Sequence, residues 1–368
     1  MHRTFLTVVT TVLLAQAASG QVVLNRDDAL DMPSRHAWNL FLLVNHPAAD
    51  PKSGRGVPDL SKRIGAPGTT VLWETWRLSE TEVFLPKGIQ PPDWNDLTLP
   101  GGPVTGKVPE LPKHLLLAKL AIRPQGFNND RSRVGPLFDP NEGVFKGQGG
   151  FGESRMNRAT YEFVKLNKLY SVEGQRKYAQ DVVVGNKSAL SFPVDSMEVK
   201  AAWIEFNQQD LAAGKASRYY LAEYDGKKYG LTSLHIITKD IPNWFWCTFH
   251  HVDSPNTGIE TPDTYGRPKA LTGTVWENYK LGGTQTDFVT SVGQPTLLSD
   301  PYIEAGFERS SCISCHARAT VSADSNPPLG SRAVVGVPDP GDYVKNGKTV
   351  LMQTDFLFSL PFRAKSEK

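Results

Sequence analysis

The segment Ser311-Cys312-Ile313-Ser314-Cys315-His316-Ala317 holds two of the chain's 3 cysteines and one of its 8 histidines at the spacing C-x-x-C-H. Two thiols three positions apart can add across the two vinyl groups of a haem, and the imidazole that follows then lies beneath the iron as an axial ligand. The spacing is therefore the c-type haem attachment signature. Composition alone gives about 0.0005 such matches in a shuffled chain of this make-up. The expected cofactor is one covalent haem c on Cys312 and Cys315, with His316 as proximal iron ligand. Two other chemistries use the same residue types. A zinc site would need the remote Cys247 in reach of Cys312, Cys315 and His316. A redox disulfide would want a thioredoxin-like βαβ setting, which nothing around Ser310 suggests.

With His316 on one side of an iron, the other axial position falls to histidine or methionine. His235, His250 and His251 lie in two neighbouring strand-like runs. In a strand over 244–252, Trp244, Trp246, Thr248 and His250 share one face, and Phe245, Cys247, Phe249 and His251 the other. Facing aromatics with one donor nitrogen suit a haem crevice; hydrogen-bonding histidines at a half-buried sheet edge are the plainer alternative. Met352 lies downstream of the motif, but Val350-Leu351-Met352 also reads as ordinary core. Met156 and Met197 read as core, and His36, His46 and His114 have no supporting feature. Cys247, set among Phe245, Trp246 and Phe249, reads as a small buried apolar residue with a free thiol.

These residues must be placed by a chain of 368 residues, ample to bury a core without a disulfide framework. Its 40 Lys+Arg against 38 Asp+Glu give a net charge of +2, no reason to expect nucleic acid or an anionic membrane as partner. With 39% apolar residues, 32 glycines and 27 prolines, disorder and collagen are excluded and long connecting loops expected. Residues 1–20 read as a cleaved export signal: His2 and Arg3, an apolar run over 5–15, then small residues allowing cleavage after about Ala17 or Gly20. No cysteine follows to carry a lipid anchor, and no other apolar run approaches a membrane span. The periplasm, an oxidising compartment, is the expected location.

The region 21–180 predicts helices in Pro/Gly-rich loops. Ser34 can cap a helix running to about Asn45, a second covers 70–79 with Trp73 and Trp76, and 86–112 is loop. The strongest helical stripe is Met156, Thr160, Phe163, Asn167 and Tyr170, over 153–170. The region 181–255 predicts an antiparallel meander of strands over 197–206, 218–224, 229–238 and 244–252, with Asp225-Gly226 as a hairpin turn. Residues 256–368 return to loops and carry the haem c-binding segment, ending in the apolar run 356–362. The fold class is α+β: a helical and loop-rich N-terminal half, an antiparallel β meander, and the C-terminal segment packed on it, with 21–368 as one globular unit. Gly147-Gln148-Gly149-Gly150-Phe151-Gly152 matches G-x-G-x-x-G but lacks the preceding buried strand of a dinucleotide site, and reads as a loop entering a helix.

The chain resembles c-type cytochromes, and more narrowly a group of exported proteobacterial monohaem proteins of the cytochrome c family. The resemblance rests on residues 234–240, with His235, on residues 242–251, with Trp244, Trp246, Cys247, His250 and His251, and on residues 310–317. It covers most of the second half of the chain. It implies haem binding and electron transfer between redox partner proteins, and it ranks His235 and His251 first as distal ligand, ahead of Met352. Small cytochromes c carry the motif on an N-terminal helix of about a hundred-residue domain; here it falls at position 312, which points to a haem packed against the preceding large domain. The leading function is a periplasmic monohaem electron carrier. The alternatives are a haem enzyme or a gas or peroxide sensor with an open sixth position, or a redox subunit of a larger complex.

Overall fold

The computed structural model describes residues 24–97, 150–224, 227–255, 259–304, 309–324 and 334–368. The expected export signal, His114, Asp225-Gly226 and Gly147 to Gly149 lie outside them. The architecture is α+β, built on an antiparallel sheet. Its strands are β1 (Arg77–Leu78), β2 (Gly150–Met156), β3 (Met197–Glu205), β4 (Leu221–Tyr224), β5 (Lys227–Thr238), β6 (Phe245–His251) and β7 (Tyr279–Gln285). They run in the order β1-β2-β3-β5-β6-β7, with β4 pairing the start of β5. The β4–β5 register, Tyr224 opposite Lys227, leaves a two-residue connection, as the hairpin reading expects.

The meander over 197–252 is present, but the sheet also recruits strands from regions that read as helix or loop. Residues 153–156, placed in a helix by their spacing, form the second half of β2. Every residue from Gly150 to Met156 pairs with β3, and this non-local ladder overrides a helical stripe that fits only part of its length. The helix begins later, as α3 (Arg158–Leu166), capped by Asn157, whose side chain accepts from Thr160 N–H at 3.1 Å. Residues 70–79 form a short 3₁₀ turn over Leu72–Thr75 and then β1, with Trp73 and Trp76 buried. Strand β7 was hidden because its Gly282 and Gly283 dilute any strand pattern. The reason for glycine is steric: a Cβ at Gly282 would lie 2.6 Å from the His250 ring.

Two short helices, α1 (Asp28–Asp31) and α2 (Pro33–Val44), start the described chain. Ser34 is not the cap of α2. Pro33 takes the first helical position, where its missing N–H costs nothing, and Ser34 is buried, with its Oγ within 3.2 Å of Thr264 N. Helix α2 lies on one face of the sheet: Trp38 and Phe41 meet Phe249 with ring centroids 4.9 and 4.4 Å apart, and His36 meets Phe245 edge-on at 4.7 Å. Helix α4 (Val172–Val183) follows α3, and α5 (Gln208–Ala212) follows β3. The main hydrophobic cluster runs from Ala29 to Leu360, so both halves of the chain share one core.

The C-terminal region adds α6 (Cys312–His316), β8 (Thr320–Ser322), the pair β9 (Val344–Lys345) and β10 (Lys348–Thr349), β11 (Leu351–Gln353) and α7 (Ser359–Arg363). Strand β11 pairs with β8. The apolar run 356–362 does pack: Leu357, Phe358 and Leu360 are buried. Among the described residues no helix is long and apolar enough to cross a membrane.

Candidate functional site

Alternation along the strands sorts the histidines and aromatics onto two faces. Cross-strand partners share a face, so Ser233/His250, His235/Thr248 and Ile237/Trp246 lie on one side of β5–β6, and Leu234/Phe249, Ile236/Cys247 and Thr238/Phe245 on the other. Lys200 and Gln285, opposite His235 and Trp246, join the first side. The expected division of 244–252 holds from Phe245 onward; Trp244 precedes the strand with φ 59°.

The C-x-x-C-H helix α6 docks on that first side. Ser311 caps it, its Oγ accepting from Ser314 N–H at 3.3 Å. Gln285 holds both the cap and the first turn: its amide donates to Ser311 Oγ at 2.7 Å and its carbonyl accepts from Ile313 N–H at 3.0 Å. Ser314 Oγ donates to Gly336 O at 2.8 Å. A helix this short has almost no intrinsic stability, so these outside partners make it.

None of the three cysteines is paired, and Cys312 and Cys315 are buried one turn apart. Cys312 Sγ lies 3.1 Å from Leu298 O. Burial pushes both thiols up, Cys315 to about 12, so both are protonated in the folded chain. His316 packs edge-on against Trp246, ring centroids 4.6 Å apart, and against Phe358 at 5.1 Å. Burial depresses it to about 3, so the imidazole is neutral. Its Nδ1 lies 2.7 Å from Phe356 O. A carbonyl only accepts, so Nδ1 carries the proton and the lone pair is on Nε2, which makes no hydrogen bond among the described residues. This is the tautomer that a proximal ligand needs, fixed by its neighbour.

His235 stands on the same side of the sheet as Trp246, on which His316 packs. It is 8% exposed, and its Nε2 is buried without a hydrogen-bond partner, 3.6 Å from Glu304 Oε2 and 4.0 Å from Asp300 Oδ2. Burial outweighs the nearby Asp300 charge and pushes His235 down to about 4. Asp300, fully buried, ties this loop to the sheet: Ser233 Oγ donates to it at 2.7 Å, Thr248 Oγ1 at 3.1 Å and Tyr302 N–H at 2.8 Å.

The other candidates fall elsewhere. His251 stands on the opposite face, stacked on Tyr219 with centroids 3.5 Å apart. Both its nitrogens are engaged: Nε2 donates to Arg218 O at 3.1 Å and Nδ1 accepts from Asp253 N–H at 3.1 Å. The structure thus places His235 on the side of the sheet where the motif docks, and His251 on the other. Met352 sits in the main core on β11, opposite Val321 of β8. Cys247 also lies on the opposite face, its thiol 3.5 Å from Ile236 O, so the four residues of a zinc site do not converge. Among the described residues no group of three or more His, Cys, Asp or Glu side chains is arranged to hold a metal ion. His36 is bound to Asp240, Nε2 to Oδ2 at 2.9 Å.

Sequence reasoning missed Asp300, Glu304, Gln285 and Phe356. Asp300-Pro301 carries a weak turn signal; a backbone carbonyl such as that of Phe356 leaves no sequence signal at all. No protein-family model, curated protein or solved structure matches this chain.

Proposed function

We propose that this chain is an exported monohaem c-type cytochrome that carries electrons between redox partner proteins in the periplasm. The observation that carries the reading is the state of His316: a neutral imidazole on the same helical turn as two free thiols, with Nδ1–H committed to Phe356 O and Nε2 unengaged among the described residues. These residues fit a covalently held haem. Cys312 and Cys315 would hold it as thioethers and His316 would bind its iron, supplying one-electron Fe(III)/Fe(II) chemistry. Because both thiols are buried and protonated once the chain has folded, their reaction belongs before the chain closes. Trp246 of the sheet face and Phe358 then supply apolar packing against the His316 ring.

For the sixth position His235 is the leading residue, because a buried imidazole nitrogen without a partner is costly unless something binds it. One observation favours the second reading, an open site for a small ligand. His235 Nε2 faces Glu304 and Asp300, and if it stays with these carboxylates the position is left free. His235→Ala distinguishes the two. Ligation by His235 predicts that the low-spin absorption spectrum of the ferric protein turns high-spin in the variant. An unchanged spectrum removes His235 from the iron.

A further inference from the structure

Three residues with bulky or branched polar side chains adopt positive φ in one corner of the molecule: Trp244 at 59°, Asp355 at 49° and Phe356 at 72°. Such residues avoid this region unless the surroundings over-determine it. Residues 354–357 form a turn in which Leu357 N–H donates to Thr354 O at 3.1 Å and both central residues are left-handed. Turns of this hand favour Gly and Asn. Here the second central residue is Phe356, and its carbonyl is the acceptor for His316 Nδ1–H at 2.7 Å.

The Asp355 carboxylate holds the turn. It accepts from Lys239 Nζ at 2.6 Å and from Phe192 N–H at 2.7 Å. Lys239 also donates to Pro242 O at 2.8 Å, and its ammonium lies 5.8 Å over the Trp244 ring, which packs on Phe192 at 5.9 Å. Lys239 and Asp355 are each 9% exposed. One buried ammonium therefore ties the end of β5, the turn into β6 and the turn that faces the motif.

We propose that the Lys239–Asp355 pair is a positioning device for His316. It clamps the left-handed turn so that the Phe356 carbonyl fixes the imidazole with Nδ1 protonated and Nε2 free. For the iron this rests on the haem reading above; the clamp itself is a property of the polypeptide. A strong Nδ1–H bond makes Nε2 the better donor to Fe(III), so releasing it raises the midpoint potential.

The test uses the full chain, expressed with haem-maturation machinery, as Lys239→Met, Lys239→Arg and Asp355→Asn. The readouts are exchange of the His316 Nδ1 proton by NMR and the midpoint potential by redox titration. Asparagine tolerates the left-handed conformation, so Asp355→Asn removes the charge while keeping the turn accessible even if Lys239→Met fails to fold. Lys239→Met and Asp355→Asn should speed the exchange at least tenfold. They should also shift the redox equilibrium upward by about tenfold, which is about 59 mV for one electron. Lys239→Arg should restore both. Wild-type exchange in Asp355→Asn would overturn the proposal. A chain carrying no covalent haem would sink the haem reading instead, and the proton exchange would still decide the clamp.

Discussion

His251 shows how the face of the sheet and the partners found there, rather than burial, separate two histidines of like expectation. Stacked on Tyr219 and hydrogen-bonded at both nitrogens, it is pushed down to about 4, mainly by burial, with its bond to the Arg218 carbonyl opposing. Its ordinary value is 6.5, so between pH 6.5 and about 4 the unfolded chain takes up a proton that the folded chain refuses. Stability is whole above pH 6.5 and falls as the pH drops, by up to about 1.4 kcal/mol per pH unit for each such group. His250 is shifted the same way, again chiefly by burial. Urea midpoints measured from pH 7 to 5 should decline, and His251→Phe, which keeps the stack on Tyr219, should reduce that slope. An equal slope in the variant would show that His251 is not the group responsible. Cys312, Cys315 and His316 stood out in the sequence by their C-x-x-C-H spacing, and the fold gathers them on one short helix. His235 and His251 were not separable, because one residue of strand parity and a neighbour's carbonyl decide between them.

At the scale of elements, the loop through Asp300 and the helix α6 are held by side chains of the sheet rather than by their own propensities. Asp300 is fully buried and receives Ser233, Thr248 and two backbone N–H groups, of Tyr302 and Ile303. Asp300→Ala should cost about 3 kcal/mol, since hydrogen bonds to a buried charge are strong and their donors would be left unpaired. A chemical-denaturation curve of the variant checks this; a loss below 1 kcal/mol, on the scale of an ordinary neutral hydrogen bond, would mean that the loop is held otherwise. Strands β3 to β6 were readable from β-branched and aromatic runs. The start of the apparent helix over 153–170, residues 153–156, was not, because Glu153 and Arg155 are charged yet buried, paired at 2.8 Å beneath Trp203 and Trp73. Charge at alternate positions hides a buried strand from any hydrophobic count.

On the scale of the whole molecule, the C-terminal region completes a core begun by α2. Strand β7 finishes the sheet against β6, Gln175 of α4 donates to Leu360 O at 2.9 Å, and Ser171 Oγ meets Glu367 at 2.7 Å. The segment 256–368 expressed alone should therefore show no cooperative unfolding transition by circular dichroism. A sharp transition would mean that it is an independent domain. The shortness of the segment carrying the motif pointed to one large unit but not to this interleaving, which depends on which distant strands pair.

The central claim is that Cys312, Cys315 and His316 hold a haem, and one measurement addresses it directly. The full chain, expressed with the haem-maturation machinery and purified, is run on a denaturing gel stained for haem, with its ferric, ferrous and CO-treated absorption spectra recorded beside it. The account predicts a haem band that survives denaturation, is lost when both cysteines are replaced by alanine, and belongs to a low-spin iron that ignores CO. Prompt CO binding by a high-spin iron would move the protein from carrier to sensor or enzyme. No covalent haem in the intact chain would contradict the account altogether.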